Sequence, residues 1–266
     1  MRARRKVAIG LMAMRKLTFL GLVALRSLTE LSLLSWLVKP RARLRYKYWT
    51  VQDACMRASR VLRISYEVTG CVEPRRAAAV YCFNHLGYID VLAASRIVAG
   101  AYVAGVGLGK RPIFGRALRA LDTVFADTRN PADSLRSVNH MSAHLSAGRS
   151  LIVFPEGTTS DGQAIARFKR GVFEAAIRTG ADVVPVYIEV DGRSHYLSTD
   201  DAKTRARWYR DAVGRRPAFF LHLFRLSELD RLDVSIVVGV AIRSVGVSRR
   251  QLAEQARNAM MALAKK

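Results

Sequence analysis

Apolar residues in this chain gather in seven short runs set between longer amphipathic stretches. The runs at 64–69, 78–83, 101–106, 123–126, 151–154, 183–190 and 234–240 are rich in Val, Ile, Tyr and Phe, which predicts strands. Stretches at 44–62, 89–98, 113–120, 132–147, 169–179 and 248–263 carry apolar residues at helical spacing, which predicts helices. Several strand runs are apolar at successive positions, the pattern of strands covered by helices on both faces. The order of elements predicts an α/β fold with a mixed, mostly parallel sheet between helices. The stretch 191–230 is the least patterned, with Arg and Asp clusters and an aromatic patch at Phe219, Phe220 and Phe224. It is expected to be a solvated insertion or a cover over a lipid tail.

Ahead of the first strand the pattern changes. Positions 17–38 are mostly apolar, and Arg26 and Glu30 interrupt them four residues apart, where a helix would pair them. The uninterrupted apolar run is too short for a secretory signal, and no small-x-small cleavage site follows it. Its length suffices for one membrane span of about 20 residues. Basic clusters flank it on both sides, however, and a span would carry one of them across against the positive-inside bias. The expectation is an N-terminal membrane-associating helix or helical hairpin lying in the cytoplasmic leaflet, with Leu and Trp in the acyl region and arginines at the headgroups. A helix that only packs on the globular domain is the alternative. The chain thus divides into a basic, apolar segment at 1–47 and an α/β domain at 48–266.

Charge sharpens this picture. The 266 residues include 44 Lys and Arg against 21 Asp and Glu, a formal charge of +23, which favours a polyanionic partner. Twelve of the basic residues and one acid, Glu30, lie in 1–47. Zinc-finger spacing, an RNP-like aromatic strand and a basic region with heptads are all missing, so nucleic acid is not expected and an anionic membrane surface is. The expected location is peripheral, at the cytoplasmic face of the inner membrane. The cysteines Cys55, Cys71 and Cys82 are odd in number and lack metal-type spacing, and are expected to be free thiols in a reducing compartment.

Candidate chemistry sits at two strand ends. His85 follows the apolar run ending at Phe83, and Asp90 lies five residues on. An imidazole suits proton abstraction near neutral pH. On one ideal helix the two side chains would stand about 140° apart, so they can pair only if His85 lies on a strand-to-helix turn, which Gly87 permits. Asp90 would then fix the tautomer and stabilise the imidazolium. The second strand end is Phe154-Pro155-Glu156-Gly157-Thr158-Thr159-Ser160. Glu156 could bind an acceptor hydroxyl, and backbone N–H groups around Gly157 and Thr158 could receive a phosphate or an oxyanion. An ordinary strand-exit loop has the same composition. Arg167, Lys169 and Arg170 follow, as a phosphate-facing cluster or a solvated helix start.

Other motifs fail on inspection. The run Gly105-Val-Gly107-Leu-Gly109-Lys110 lacks the Walker A glycine, replaced by Ala104, and has Arg111 where Ser or Thr is needed. A GxSxG elbow is missing. His140 and His144 share a helical face, but Met141 stands where an HExxH glutamate would be, so both are expected to be exposed and no metal is expected.

At these residues the chain resembles the glycerolipid acyltransferases typified by 1-acylglycerol-3-phosphate acyltransferase. Asn84-His85-x4-Asp90 is similar to that family's first motif, and Lys110-Arg-Pro112-Ile-Phe114-Gly115 with 123–127 to its second. Residues 154–162 with Phe168-Lys-Arg-Gly171 are similar to its third, and Val183-Val-Pro185-Val-Tyr187 to its fourth. The resemblance covers roughly 64–190. It implies His85 as base, Asp90 as its partner and Glu156-Gly157 in acceptor binding. It also implies acyl-CoA or acyl carrier protein as co-substrate, with no cofactor, and a lyso-lipid acceptor, first 1-acylglycerol-3-phosphate. Three cations of the family pattern are missing: the motif-two arginine falls on Thr128, with Arg129 next to it. The arginine after Glu-Gly-Thr is Thr159, and an upstream lysine is replaced by Gly105 or Val106. Arg129, Arg167 or Lys169 could compensate, or the acceptor could be another lyso-lipid such as lyso-ornithine lipid. A catalytically inactive membrane-binding relative is the further alternative.

Overall fold

The computed structural model of the chain describes residues 2–71, 77–110, 115, 118–119, 121–127, 130–160, 162, 164–190, 223–224 and 226–265. All seven expected strands form: β1 (Ile64–Gly70), β2 (Ala79–Phe83), β3 (Ala101–Gly105), β4 (Val124–Ala126), β5 (Leu151–Val153), β6 (Asp182–Val190) and β7 (Leu232–Val238). They make one sheet in the order β1-β7-β6-β2-β5-β3-β4. Every neighbouring pair is parallel except β6 with β7. The expected mixed, mostly parallel sheet is therefore what folds. Its parallel strands β2, β3, β4 and β5 deliver their carboxyl ends to one edge, where α/β sheets gather their ligands.

Helices α1 (Arg2–Leu37), α2 (Pro40–Leu62), α3 (Ile89–Ile97), the short turn α4 (Val106–Gly109), α5 (Pro131–Ser146), α6 (Gly171–Thr179) and α7 (Arg249–Leu263) accompany the sheet. Strand β2 is buried at every position. Val80 and Cys82 join a core with Phe173, Val138, Leu252 and Met260, from α5, α6 and α7. Ala79, Tyr81 and Phe83 join the opposite core with Leu62, Ile89 and Ala93, from α2 and α3. Period-two alternation thus splits one apolar run between two faces.

Local chemistry sets several helix ends. Pro40 occupies the first turn of α2 after Lys39, where a missing N–H costs nothing, so this helix begins earlier than the expected 44. Asn130 caps α5 through the Ala132 N–H, and Ser248 and Gln251 form a capping box on α7. Helix α6 starts at Gly171 instead of 169, because the Lys169 N–H is bonded to Pro155 O at 2.8 Å. Gly115, Leu118 and Arg119 of the expected helix at 113–120 are helical; its other residues and most of the stretch 191–230, with Phe219 and Phe220, lie outside the described residues. Phe224 is helical and half-buried.

At the amino terminus α1 and α2 pack together as a hairpin, and α2 continues unbroken past position 47. Arg26 Nε pairs with Glu30 at 2.6 Å as its spacing predicts. One side of α1 docks on the domain: Ala13 is fully buried, Lys16 is 6% exposed, and Lys16 Nζ donates to Leu229 O at 2.6 Å. Burial first, then the nearby Arg63, holds the Lys16 ammonium below its ordinary range, with Asp230 opposing. Among the described residues no helix is long and apolar enough to cross a membrane.

Candidate active site

Strand β2 ends at Phe83, and the next two residues have separate tasks. Asn84 reaches across to β6, giving its Nδ2 hydrogen to Ile188 O at 2.8 Å and accepting the Ile188 N–H at 2.7 Å. This buried double bond fixes the point where the chain leaves the sheet. His85 follows, outside any helix, and α3 begins only at Ile89. Asp90 therefore lies in the first turn of α3 and faces back toward the strand end, so the unproductive spacing on a single helix never arises.

Asp90 is fully buried. Its Oδ2 accepts from the backbone N–H of Leu86 at 2.5 Å and of Gly87 at 2.8 Å, and lies 2.8 Å from His85 Nδ1. A carboxylate only accepts, so Nδ1 carries the hydrogen and Nε2 keeps its lone pair. Asp90 Oδ1 is buried and has no hydrogen-bond partner among the described residues. The His85 ring lies against Phe154, with centroids 4.4 Å apart and planes at 22°, and its side chain is 23% exposed. The ring is thus held on one face and at one nitrogen.

The second carboxylate ties the two strand ends together. Glu156 Oε1 accepts the His85 N–H at 2.9 Å, and Oε2 accepts the Ala166 N–H at 2.8 Å. In return the Ser160 N–H donates to His85 O at 2.8 Å. Glu156 is 4% exposed. Burial pushes its carboxyl above the usual range, and the Ala166 and His85 amides, followed by the His85 ring, pull it partly back. Both oxygens bind backbone, so in this arrangement Glu156 shapes the loop and touches His85 directly.

The Gly157 N–H closes a turn on Phe154 O at 3.0 Å. Its φ is +70°, and a Cβ there would stand 2.4 Å from Cε and Nζ of Lys169, so glycine serves both the left-handed backbone and the overlying lysine. Thr158 is exposed, as are Arg167 and Lys169. Arg129 and Thr128 lie outside the described residues. Lys169 and Gly157 line a cavity of about 130 Å³ that extends beneath the ends of β3, β4 and β5, with Gly105, Asp127, Ser134, Met141 and Phe154 in its wall. Phe154 thus both stacks on His85 and lines the cavity. Nothing in the sequence assigns a separate role to Phe154, Ala166 or Asn84; only the adjacency of Asn84 to His85 hints at one.

His144 departs from expectation. It is 1% exposed, because its partners come from other elements: Tyr48 Oη at 3.3 Å from Nδ1 and Asp122 at 3.7 Å from Nε2. Burial first, and then Arg149, lowers its pKa from 6.5 to about 4, with Asp122 opposing. Possible ligand atoms of Asp122, His140 and His144 lie within 4.8 Å of one another. The Arg149 guanidinium already sits 3.7 Å from the Asp122 carboxylate, so the cluster reads as a hydrogen-bonded joint between α2 and α5.

Residues 65–189 match the family model described as Acyltransferase. A lyso-ornithine lipid O-acyltransferase of Pseudomonas aeruginosa is 26% identical over 224 residues, 82% of this chain and 78% of that protein. A 1-acyl-sn-glycerol-3-phosphate acyltransferase of Escherichia coli is 32% identical over 116 residues, 41% of this chain and 46% of the relative. The chain therefore spans less than half the length of that second relative. The crystal structure of the 1-acyl-sn-glycerophosphate acyltransferase from Thermotoga maritima covers 100% of this chain and 99% of its own, with a TM-score of 0.60 at 20% identity. It shares the fold.

Proposed function

We propose that this chain, which carries an acyltransferase-family domain over residues 65–189, moves a fatty acyl group from a thioester, acyl-CoA or acyl carrier protein, to the hydroxyl of a lyso-lipid. The observation that carries the reading is the 2.8 Å bond from His85 Nδ1 to a fully buried Asp90, which leaves Nε2 as the base. In the proposed mechanism Nε2 removes the hydroxyl proton and the oxygen attacks the thioester carbonyl. The tetrahedral intermediate expels the thiolate, which takes the proton back from the imidazolium, so an ester and a free thiol are the products. Asp90 stabilises the cationic ring between the two transfers. No metal ion and no acyl-enzyme enters this sequence of steps.

Among acceptors we favour an amino-acid-bearing lyso-lipid, of which lyso-ornithine lipid is the example. The Pseudomonas relative named for that acceptor aligns over 82% of the chain. The cavity wall holds both Asp127 and Lys169, a pair suited to a headgroup carrying an amine and a carboxylate. Thr159, and Gly105 or Val106, stand where the resemblance expects cations for a phosphate. 1-Acylglycerol-3-phosphate is the second reading, supported by exposed Lys169 and Arg167 at the same loop. Purified protein given each lyso-lipid, with acyl-CoA and with acyl carrier protein, separates them. Absence of transfer to every lyso-lipid sinks the activity, and faster transfer to 1-acylglycerol-3-phosphate reverses the choice of acceptor.

A membrane setting is supported by α1. Leu11, Met14, Leu22, Leu25, Leu33 and Trp36 are all exposed and repeat every eleven residues, which keeps them within an arc of about 100°. The buried face with Ala13 and Lys16 lies opposite. A solvent-facing apolar stripe on a basic helix suits insertion into the headgroup region of an anionic cytoplasmic leaflet.

A further inference from the structure

Helix α7 lies beyond the family-matched segment, and one of its arginines points at the candidate site. Arg249 and Arg250 contact the half-buried Glu174 and the exposed Glu254, as helix-surface arginines commonly do. Arg257 instead addresses backbone. Its Nη2 donates to Ile165 O at 2.6 Å, and its Nε donates to Ile165 O at 3.1 Å and Ala166 O at 3.0 Å. The carbonyl of Ile165 and the N–H of Ala166 belong to one peptide group. That same N–H donates to Glu156 Oε2 at 2.8 Å, and Glu156 Oε1 receives the N–H of His85 at 2.9 Å.

A cation and an anion therefore sit at the two ends of a single peptide dipole. The guanidinium draws electron density to the oxygen and makes the N–H a better donor to the carboxylate, the mutual strengthening expected of hydrogen bonds in series. The described residues of 154–170 form neither helix nor strand, so turns and side chains must satisfy their buried polar backbone. Arg257 does this at the position that holds Glu156. We propose that Arg257 is a positioning residue for acyl transfer: through the 165–166 peptide and Glu156 it fixes the backbone of His85 at the end of β2. The proposal rests on the reading of His85 as the base.

The test uses the full chain with the best lyso-lipid found in the panel. Arg257→Ala is expected to lower kcat about 10-fold while KM for both substrates stays within about 3-fold, because orientation and not binding is lost. Hydrogen exchange should quicken in a 160–170 peptide and remain slow in 249–263. Arg257→Lys keeps a cation at the peptide and is expected to recover kcat to within about 3-fold of wild type. With Glu156→Gln the two substitutions should be strongly non-additive, the double variant being no slower than Glu156→Gln alone. If Arg257→Ala loosens α7, the cycle is run with Arg257→Gln, which keeps most of the side-chain volume but removes the cation, and is read in the same way. Wild-type kcat in Arg257→Ala, or effects that multiply in the cycle, overturns the proposal. Wild-type protein that acylates no lyso-lipid overturns the function instead, and the exchange result then still reports whether Arg257 holds the loop.

Discussion

Asp90 meets His85 Nδ1 with the same oxygen, Oδ2, that receives the amides of Leu86 and Gly87. One buried oxygen thus fixes both the turn carrying the histidine and the tautomer of its ring. Asp90→Asn keeps the volume and can keep an oxygen toward the Leu86 and Gly87 amides, but it removes the negative charge that stabilises the imidazolium. It is expected to reduce kcat by about 10²–10⁴-fold, the range of a lost acid–base arrangement, with a smaller change in KM. Steady-state kinetics on folded variant protein checks this, and an unchanged kcat would remove Asp90 from the mechanism.

His144 predicts how stability depends on pH. Its pKa falls from 6.5 in the unfolded chain to about 4 in the fold, so the folded state binds this proton more weakly. The contribution is full above pH 6.5 and is lost as pH drops toward 4. Between pH 7.5 and 5 the loss amounts to about 2 kcal/mol. His144→Gln, which does not titrate, is expected to be less stable at pH 7.5 by about 1–3 kcal/mol for the disturbed buried contacts. Its deficit should shrink by pH 5. Urea unfolding at the two pH values measures both, and a deficit that grows on acidification contradicts the assignment.

The outward stripe of α1 separates membrane affinity from stability. Leu25 is 59% exposed and Trp36 is 89% exposed, so replacing both with Glu should leave the Tm nearly unchanged, as surface substitutions do. Binding to vesicles containing anionic lipid should weaken at least about 10-fold, since two apolar anchors are lost and two like charges meet the surface. Sedimentation with vesicles that shows undiminished binding would return α1 to a helix that merely packs on the domain.

Legibility in the sequence followed the range of each interaction. Strands such as Ala79–Phe83 were readable because burial on both faces leaves an unbroken apolar run. His85 and Asp90 were readable because motif and strand end coincide within six positions. Arg257 was not: its contacts lie 91 and 92 residues away and its local sequence is that of any amphipathic helix. His144 looked exposed for the same reason, since Tyr48, which helps bury it, is 96 residues distant. Glu156 was recognised as part of the site, but its two backbone partners, His85 and Ala166, are set by how the loop folds back. The helix start at Gly171 likewise depended on the Lys169–Pro155 bond.

The central claim is that the imidazole of His85 performs the proton transfers of an acyltransferase. The most direct measurement is the rate at which purified His85→Ala acylates the preferred lyso-lipid, with folding verified by its Tm. A fall in kcat of at least about 10²-fold against wild type is the result predicted. Turnover at the wild-type rate by a folded His85→Ala protein would contradict it.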